Sequence, residues 1–252
     1  MIYGFTHPGS GLGNMLHRYI ATRVLALDKG YEFGMIGKEN FKGSSFMNLD
    51  MGRDVGVDTF TEQPSGKVVP VLHTKYIQWE EKTPYYNPEF NFIEDNTIID
   101  GEFQDERYFE HRLKEINEWL RVEPIDIPDD VCVIGFRGGE FYTVPELGLP
   151  KSYFDEGIKL MREINPNMRF EVHTDDELLA KQFFPNYKVI HDIGINWRSM
   201  RYAKYAIVAN SSFYILPRLL NGGITVAPRY WDRYNIKKWE RPYNFYKSFS
   251  YI

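Results

Sequence analysis

The chain reads as an α/β protein built on parallel sheet, and three observations carry that reading. Short apolar runs alternate with segments of helical period through the second half, at spacings that fit strand–helix–strand crossovers. An apolar run near the start, Ile2–Thr6, ends in a glycine turn that opens an amphipathic helix. Between the halves, Glu123–Asp130 holds Pro124 and Pro128 in a polar stretch, the strongest boundary signal in the chain, dividing residues 1–125 from 126–252.

In the first half, the turn Thr6–Asn14 carries glycines at 9, 11 and 13 and leads into apolar positions Met15, Leu16, Tyr19, Ile20, Val24 and Leu27, with Gly30 as a natural stop. Strand, glycine turn and helix in that order aim free backbone N–H groups at an anion. The spacing is neither the dinucleotide fingerprint nor a P-loop. Tyr31–Ile36 and Val68–Leu72 are strand candidates, residues 37–66 read as loop, and 74–100 show no clean period. A helix is expected from about Gly101, with Phe109, Leu113, Ile116 and Leu120 forming one apolar stripe.

The second half opens on Val131–Phe136, an apolar run that delivers Arg137 and Glu140 into a Gly138–Gly139 turn. A helix is expected over 153–164 with Ser152 as its cap. Arg169–His173 is a strand ending in Thr174-Asp175-Asp176, Glu177–Phe184 a helix, and Tyr187–Ile190 a strand ending at His191-Asp192. A helical segment near Trp197–Tyr202 precedes the strand Ala206–Ala209, whose end, Asn210-Ser211-Ser212, opens the helix Phe213–Leu220. Gly222-Gly223 stops that helix, and Ile224–Ala227 is the last strand.

Composition bounds the function. At 43% hydrophobic, 252 residues can bury the core of one large domain or two small ones, and the 16% of aromatic residues read mainly as packing. A net charge of −5 spread along the chain argues against nucleic acid as the main ligand. The single cysteine, Cys132, excludes an internal disulfide framework and, inside an apolar run, reads as a core thiol. No basic segment followed by an apolar core trails Met1, and no run of about 18 apolar residues occurs. The expectation is a cytoplasmic protein with no transmembrane segment.

Ligands of open α/β sheets bind off the carboxyl ends of strands. Four strand ends place chemistry on one such edge: Arg137, Asp175-Asp176, Asp192 and Ser211-Ser212. The planar fork of Arg137 suits a phosphate, and a helix start with two hydroxyls beside it would make a pyrophosphate cradle. Taken singly, the Asp and Ser pairs are ordinary helix caps. The reading requires the Arg137 guanidinium to stay available to a ligand, not buried against a carboxylate of its own domain.

These blocks resemble the fucosyltransferases of the GT-B type, most closely the bacterial α-1,2-fucosyltransferases. Gly9-Ser10-Gly11-Leu12-Gly13-Asn14 is similar to the family's Gly-Gly-Leu-Gly-Asn-Gln block, and Gly101–Phe109 to its Gly-Tyr-Phe-Gln-Ser-Glu-Lys-Tyr-Phe block. Gly135–Phe141 stands where the family has His-x-Arg-Arg-Gly-Asp-Tyr. Leu149-Pro150 with Tyr153, Thr174-Asp175-Asp176, Ala209-Asn210-Ser211-Ser212-Phe213, and Ala227-Pro228 with Trp231 follow in the family's order.

The resemblance implies two Rossmann-like domains facing across a cleft, the first (1–125) on the acceptor side and the second (126–252) binding the nucleotide sugar. It implies an inverting, metal-independent transfer of fucose from GDP-fucose to a glycan hydroxyl, with no cofactor. Arg137 would hold the donor pyrophosphate; Asp175, Asp176, Asn210, Ser211, Ser212 and Phe213 match donor-site blocks, with Asp192 on the guanine side. Gly11, Gly13 and Asn14 would close against the diphosphate. The chain has no Asp-x-Asp to bridge a metal and diphosphate. Glu140 and Glu146 are the candidates for general base. The family's histidine falls at Gly135, its second arginine at Gly138, its Asp at Glu140 and its Gln at Met15. Those departures keep two alternatives open: another nucleotide sugar, or a non-catalytic nucleotide- or carbohydrate-binding relative. A dinucleotide-dependent oxidoreductase is disfavoured by the glycine spacing.

Overall fold

The structure, a computed structural model, describes residues 1–54, 60–62, 68–70, 75–78, 86–144, 147–229, 246 and 248–252, the strands at 60–62, 68–70 and 75–78 by their backbone alone. The chain forms two compact units, residues 1–44 with 48–120 and residues 45–47 with 121–252.

In the first unit, β1 (Ile2–Phe5) feeds α1 (Leu12–Lys29). Met15, Leu16, Tyr19, Ile20 and Val24 are buried on one face of α1, as their spacing requires, whereas Leu27 is 46% exposed. Gly30, at φ 69°, ends the helix by donating to Ala26 O and Leu27 O, a left-handed cap that glycine takes at least cost. After β2 (Phe33–Ile36) come the antiparallel pair β3 (Phe60–Glu62) and β4 (Val68–Pro70), then β5 (Lys75–Gln78) and β6 (Thr97–Asp100). The main sheet has the order β2-β1-β6-β5, all parallel. β5 and β6 lie in the stretch whose sequence has no clean period, and β3 lies in the expected loop.

The helix expected from Gly101 is shorter than its apolar stripe. Two 3₁₀ turns, Glu106–Tyr108 and Glu110–Arg112, precede α2 (Leu113–Trp119), because Phe109 at φ −149° breaks the helical run. Phe109 is fully buried, its ring 5.9 Å from that of His17, so packing decides its backbone.

In the second unit, β7 (Val131–Phe136) leads through the single turn α3 (Glu140–Thr143) to α4 (Lys151–Ile164). α4 begins one residue before Ser152, with Pro150 at the cap position, so Ser152 is not the cap. The remaining elements are β8 (Arg169–Thr174), α5 (Glu177–Phe183), β9 (Lys188–Ile190), α6 (Ile193–Tyr202), β10 (Tyr205–Val208), α7 (Ser212–Asn221), β11 (Ile224–Ala227) and β12 (Phe249–Tyr251). The sheet order is β12-β11-β10-β7-β8-β9, all parallel. All six residues of β7 are buried, which is why its sequence is a continuous apolar run and not an alternating one. Phe136 anchors an aromatic cluster with Tyr142, Phe154, Phe183 and Phe184, at centroid separations of 5.0–5.6 Å. Cys132 is fully buried, and burial pushes its thiol pKa up, so it is a core residue.

In both sheets the order in which the chain adds strands reverses once. In the first unit the chain runs from β1 outward to β2, and its other strands lie on the opposite side of β1, so the switch point falls between β1 and β6. In the second unit the chain adds β8 and β9 on one side of β7 and β10, β11 and β12 on the other, so the switch falls between β7 and β10. Crevices at such points are where open α/β sheets take ligands.

Candidate functional site

Around the switch point of the second unit, the register fixes what stands beside what. Ala209 N donates to Gly135 O (2.9 Å), so Asn210-Ser211 starts alongside Phe136-Arg137. Phe136 pairs with Thr174, which sets Asp175 beside Arg137. Asp192, after β9, stands one strand further out.

Arg137 does not stand alone. One terminal nitrogen donates to Asp175 Oδ2 and the other to Glu140 Oε1 (2.6 Å), while the guanidinium lies 5.1 Å from the Phe141 ring centroid. Its side chain keeps 24% of its surface exposed, so it is engaged by carboxylates of its own unit without being buried against them. The expectation that the Arg137 guanidinium stays available to a ligand is corrected in part: the strand pairing that brings Asp175 to the edge also brings it to Arg137. A phosphate arriving here must compete with Asp175 and Glu140.

Asp175 and Asp176 hold the 138–139 turn. Gly138 N–H donates to Asp175 Oδ1 (2.8 Å) and Gly139 N–H to Asp176 Oδ2 (3.1 Å). Asp176 also caps α5 through Leu179 N–H (3.0 Å), and that bond, with the one from Gly139, holds its carboxyl below the usual range. Gly139 has φ 52°, a conformation that favours glycine. Asp192 caps α6 through Ile195 N–H (2.7 Å).

The start of α7 differs from those of α5 and α6. Ser211 occupies the cap position, yet its hydroxyl makes no capping hydrogen bond, so it does not cap α7 through its side chain. Asn210 is 4% exposed; its Nδ2 donates to Leu147 O (3.0 Å) and its Oδ1 has no hydrogen-bond partner among the described residues. Phe213 packs edge-on against Trp197 and Tyr214, so its ring contributes packing. Ser212 is the first residue of α7.

Gly135 and Gly138 are both filled from behind. A Cβ on Gly135 would come within 2.7 Å of Tyr214 Cγ and 2.9 Å of Met200 Cε. A Cβ on Gly138 would overlap Asp176 Cβ. Tyr214 is buried, and its single hydroxyl proton is shared between Phe136 O (3.1 Å) and His173 O (2.9 Å), which fixes the ring over the strand ends. Sequence reading missed Tyr214; the available signal was a small residue inside an otherwise bulky buried strand.

In the first unit, Gly11 is the cap residue of α1 with no side-chain cap, and Gly13 O accepts from His17 Nδ1 (2.8 Å). Asn14 donates to Glu102 (3.4 Å) and accepts from Gln104 (3.1 Å). At the switch point, Asp100, the last residue of β6, binds His7 Nε2 through both oxygens (2.8 and 2.9 Å). Arg18 Nε lies 3.8 Å from Asp100 and donates to Gly101 O (2.9 Å), while its terminal nitrogen donates to Ser10 Oγ (2.8 Å). Sequence reading missed this group. Its signal was a histidine directly after the first strand and an acid directly after the apolar pair Ile98-Ile99.

Glu146 lies outside the described residues. Among the described residues, no three His, Cys, Asp or Glu side chains converge as a metal would require, and no helix is long and apolar enough to cross a membrane.

No protein-family model matches the chain, and no curated protein matches it in sequence. Solved structures do. The fucosyltransferase NodZ from Bradyrhizobium is 11% identical, with 87% of this chain and 92% of that one covered and a TM-score of 0.50. NodZ α-1,6-fucosyltransferase co-crystallized with GDP is 12% identical over 87% and 91%, TM-score 0.48. The E. coli heptosyltransferase WaaC with ADP is 11% identical over 100% and 92%, TM-score 0.49. The likeness to the first is one of fold, and it agrees with the α/β, GT-B-like class expected from the sequence.

Proposed function

We propose that the chain is a glycosyltransferase that moves a sugar from a nucleoside diphosphate to a hydroxyl. The observation that carries this reading is the pair of groups flanking the switch point of the second sheet: the Arg137 guanidinium after β7 and the start of α7 after β10, which the Ser211 side chain does not cap. A partly exposed fork and a helix start together suit a diphosphate. The shared fold with NodZ supports the same reading.

In an inverting displacement the acceptor oxygen attacks the anomeric carbon while the electron pair of the broken C–O bond leaves with the diphosphate. Charge grows on that diphosphate, so fixed donors beside it supply the main catalytic effect, about 10²–10³-fold for one such donor. Arg137 and the α7 start would do this without a metal, in keeping with a sequence that lacks Asp-x-Asp. GDP-fucose is the first donor to test, on the resemblance of the blocks around Arg137, Asp175 and Ser211. Another nucleotide sugar is the next, because no side chain fits at Gly135 or Gly138 to contact a nucleotide as the family's His and Arg would. The acceptor is expected to be a glycan hydroxyl handled by the first unit.

A second reading has its own support. Around Arg137 stand the carboxylates of Asp175, Asp176 and Glu140, an excess of negative charge that weakens diphosphate binding. A nucleotide- or carbohydrate-binding protein without turnover fits that balance. The experiment is a thermal-shift series with GDP, UDP, ADP and their sugars, followed by assay of diphosphate release. A stabilising nucleotide, with release abolished by Arg137→Ala, supports the enzyme; stabilisation without release supports the binder. No stabilisation and no release would sink both.

A further inference from the structure

We propose that the groove between α4 and the residue preceding β9 binds a neutral saccharide, at a place apart from the switch point of the same unit. Asp155, Ile158, Lys159, Arg162, Glu163 and Tyr187 line a cavity of about 500 Å³ there, within the ~300–1,000 Å³ of small-ligand sites. Arg162 lies over the ring of Phe170, the second residue of β8, and Tyr187 immediately precedes β9. This end of the groove therefore stands at the amino ends of those strands, whereas Arg137 and Asp175 follow the carboxyl ends of β7 and β8. Its occupancy requires no turnover at the switch point, so the site serves a transferase and a binder alike.

One wall is a braced aromatic ring. Phe184 stacks on Tyr187 at 6.2 Å with 27° between the planes, and Phe170 lies 5.5 Å from it. Phe184 and Phe170 are buried while Tyr187 is partly exposed, so Tyr187 is the ring a ligand meets, with Ile158 beside it. An apolar surface of this kind suits the C–H face of a sugar ring. The other lining groups are charged. The Arg162 guanidinium is held 5.5 Å from the Phe170 centroid, which leaves its in-plane N–H groups free to donate. Among the described residues Lys159, Arg162 and Glu163 have no ion-pair partner and the Tyr187 hydroxyl makes no hydrogen bond, whereas Lys151, Lys181 and Lys188 each hold a carboxylate. Asp155 is the carboxylate that Lys151 holds.

The donor and acceptor inventory selects the ligand. Ammonium and guanidinium groups only donate, and carboxylates only accept, whereas each sugar hydroxyl does both and can serve either wall. Two cations and two carboxylates leave the lining without net charge. A phosphate would face Asp155 and Glu163, and an organic cation would face Lys159 and Arg162. An apolar side chain would strip water from those groups without replacing its hydrogen bonds. An uncharged polyol with one apolar face meets all of them. The four charged residues are exposed, so the groove is open and a chain of sugars can extend beyond it.

The test titrates the full chain, labelled with nitrogen-15, with lactose, maltose, cellobiose and chitobiose, and with glucose 6-phosphate as the charged control. At least one of the four disaccharides is expected to bind at millimolar concentration and to shift the amide signals of α4, Tyr187 and Lys188. Glu163→Ala is expected to weaken that binding about 10-fold by removing a charged acceptor, and Tyr187→Leu to weaken it by removing the ring. Glu163 is exposed and unpaired among the described residues, so its variant keeps the fold and the loss reads the contact itself. Binding by none of the four, tighter binding of glucose 6-phosphate than of any of them, shifts confined to the surroundings of Arg137 and Asp175, or an unchanged affinity in Glu163→Ala overturns the site. No nucleotide enters this titration, so each of these outcomes leaves the transferase reading to its own assay of diphosphate release.

Discussion

Tyr214 occupies the space that a side chain at Gly135 would need: a Cβ there would stand 2.7 Å from the ring carbon Cγ. The ring cannot swing aside freely, because its hydroxyl is tied to Phe136 O and His173 O. Gly135→His is therefore expected to destabilise the chain by about 3 kcal/mol or more, through overpacking and burial of an imidazole. The midpoint of urea denaturation reads this directly. An unchanged midpoint would mean that the ring yields.

Tyr214→Phe keeps the packing and removes the hydrogen bond that the hydroxyl shares between the ends of β7 and β8. The expected loss is about 1–3 kcal/mol, the cost of leaving buried carbonyls without their donor, measured by the same denaturation series.

Asp175→Asn is expected to tighten GDP binding about 3–10-fold, as removing one carboxylate charge beside the Arg137 fork weakens its hold on that fork. The amide oxygen can still accept from Gly138 N–H, so the turn should hold. Arg137→Ala should weaken binding about 10-fold or more. Calorimetric titration of both variants checks the pair, and equal affinities in Asp175→Asn and wild type would show that Asp175 does not compete with the ligand.

Arg218 is fully buried and donates to Thr225 Oγ1, Met200 O, Ala203 O and Ile224 O, with no carboxylate among these partners. Burial pulls its pKa down to about 10, so the charge is costly, yet it satisfies three backbone oxygens. For Arg218→Met the stranded oxygens outweigh the relief of the charge, and a net loss of about 2–4 kcal/mol is expected. Thermal unfolding of the variant tests it; a melting temperature at or above the wild type's would reverse that balance.

His173 is fully buried, and burial lowers its pKa from the ordinary 6.5 to about 4. The unfolded chain binds a proton near pH 6.5 that the folded chain refuses until about pH 4. Its contribution is thus present above pH 6.5 and lost as pH falls through this window, about 3 kcal/mol in all. Denaturation midpoints between pH 7 and pH 4 should show the slope, and His173→Gln should flatten it.

Much of the second unit was legible. Val131–Phe136 is apolar without a break because both its faces are covered, and the runs after Tyr205 and Ile224 share that pattern. The convergence of Arg137, Asp175 and Ser211 followed from strand ends alone. What did not follow was the ion pairing, which depends on which residue of β8 faces which of β7. In the first unit, β6 is four residues ending in Asp100, too short to show a period, and β12 is only Phe249-Ser250-Tyr251. His7 and Asp100 are 93 residues apart, and only the parallel pairing of β1 with β6 brings them together.

The sheltered thiol of Cys132 has a practical consequence. It is the only cysteine, and it lies on the strand flanked on either side by β10 and β8. An alkylating reagent can reach that sulfur only in molecules whose second unit has opened, so the labelling rate becomes a built-in clock for opening, with no engineered probe needed.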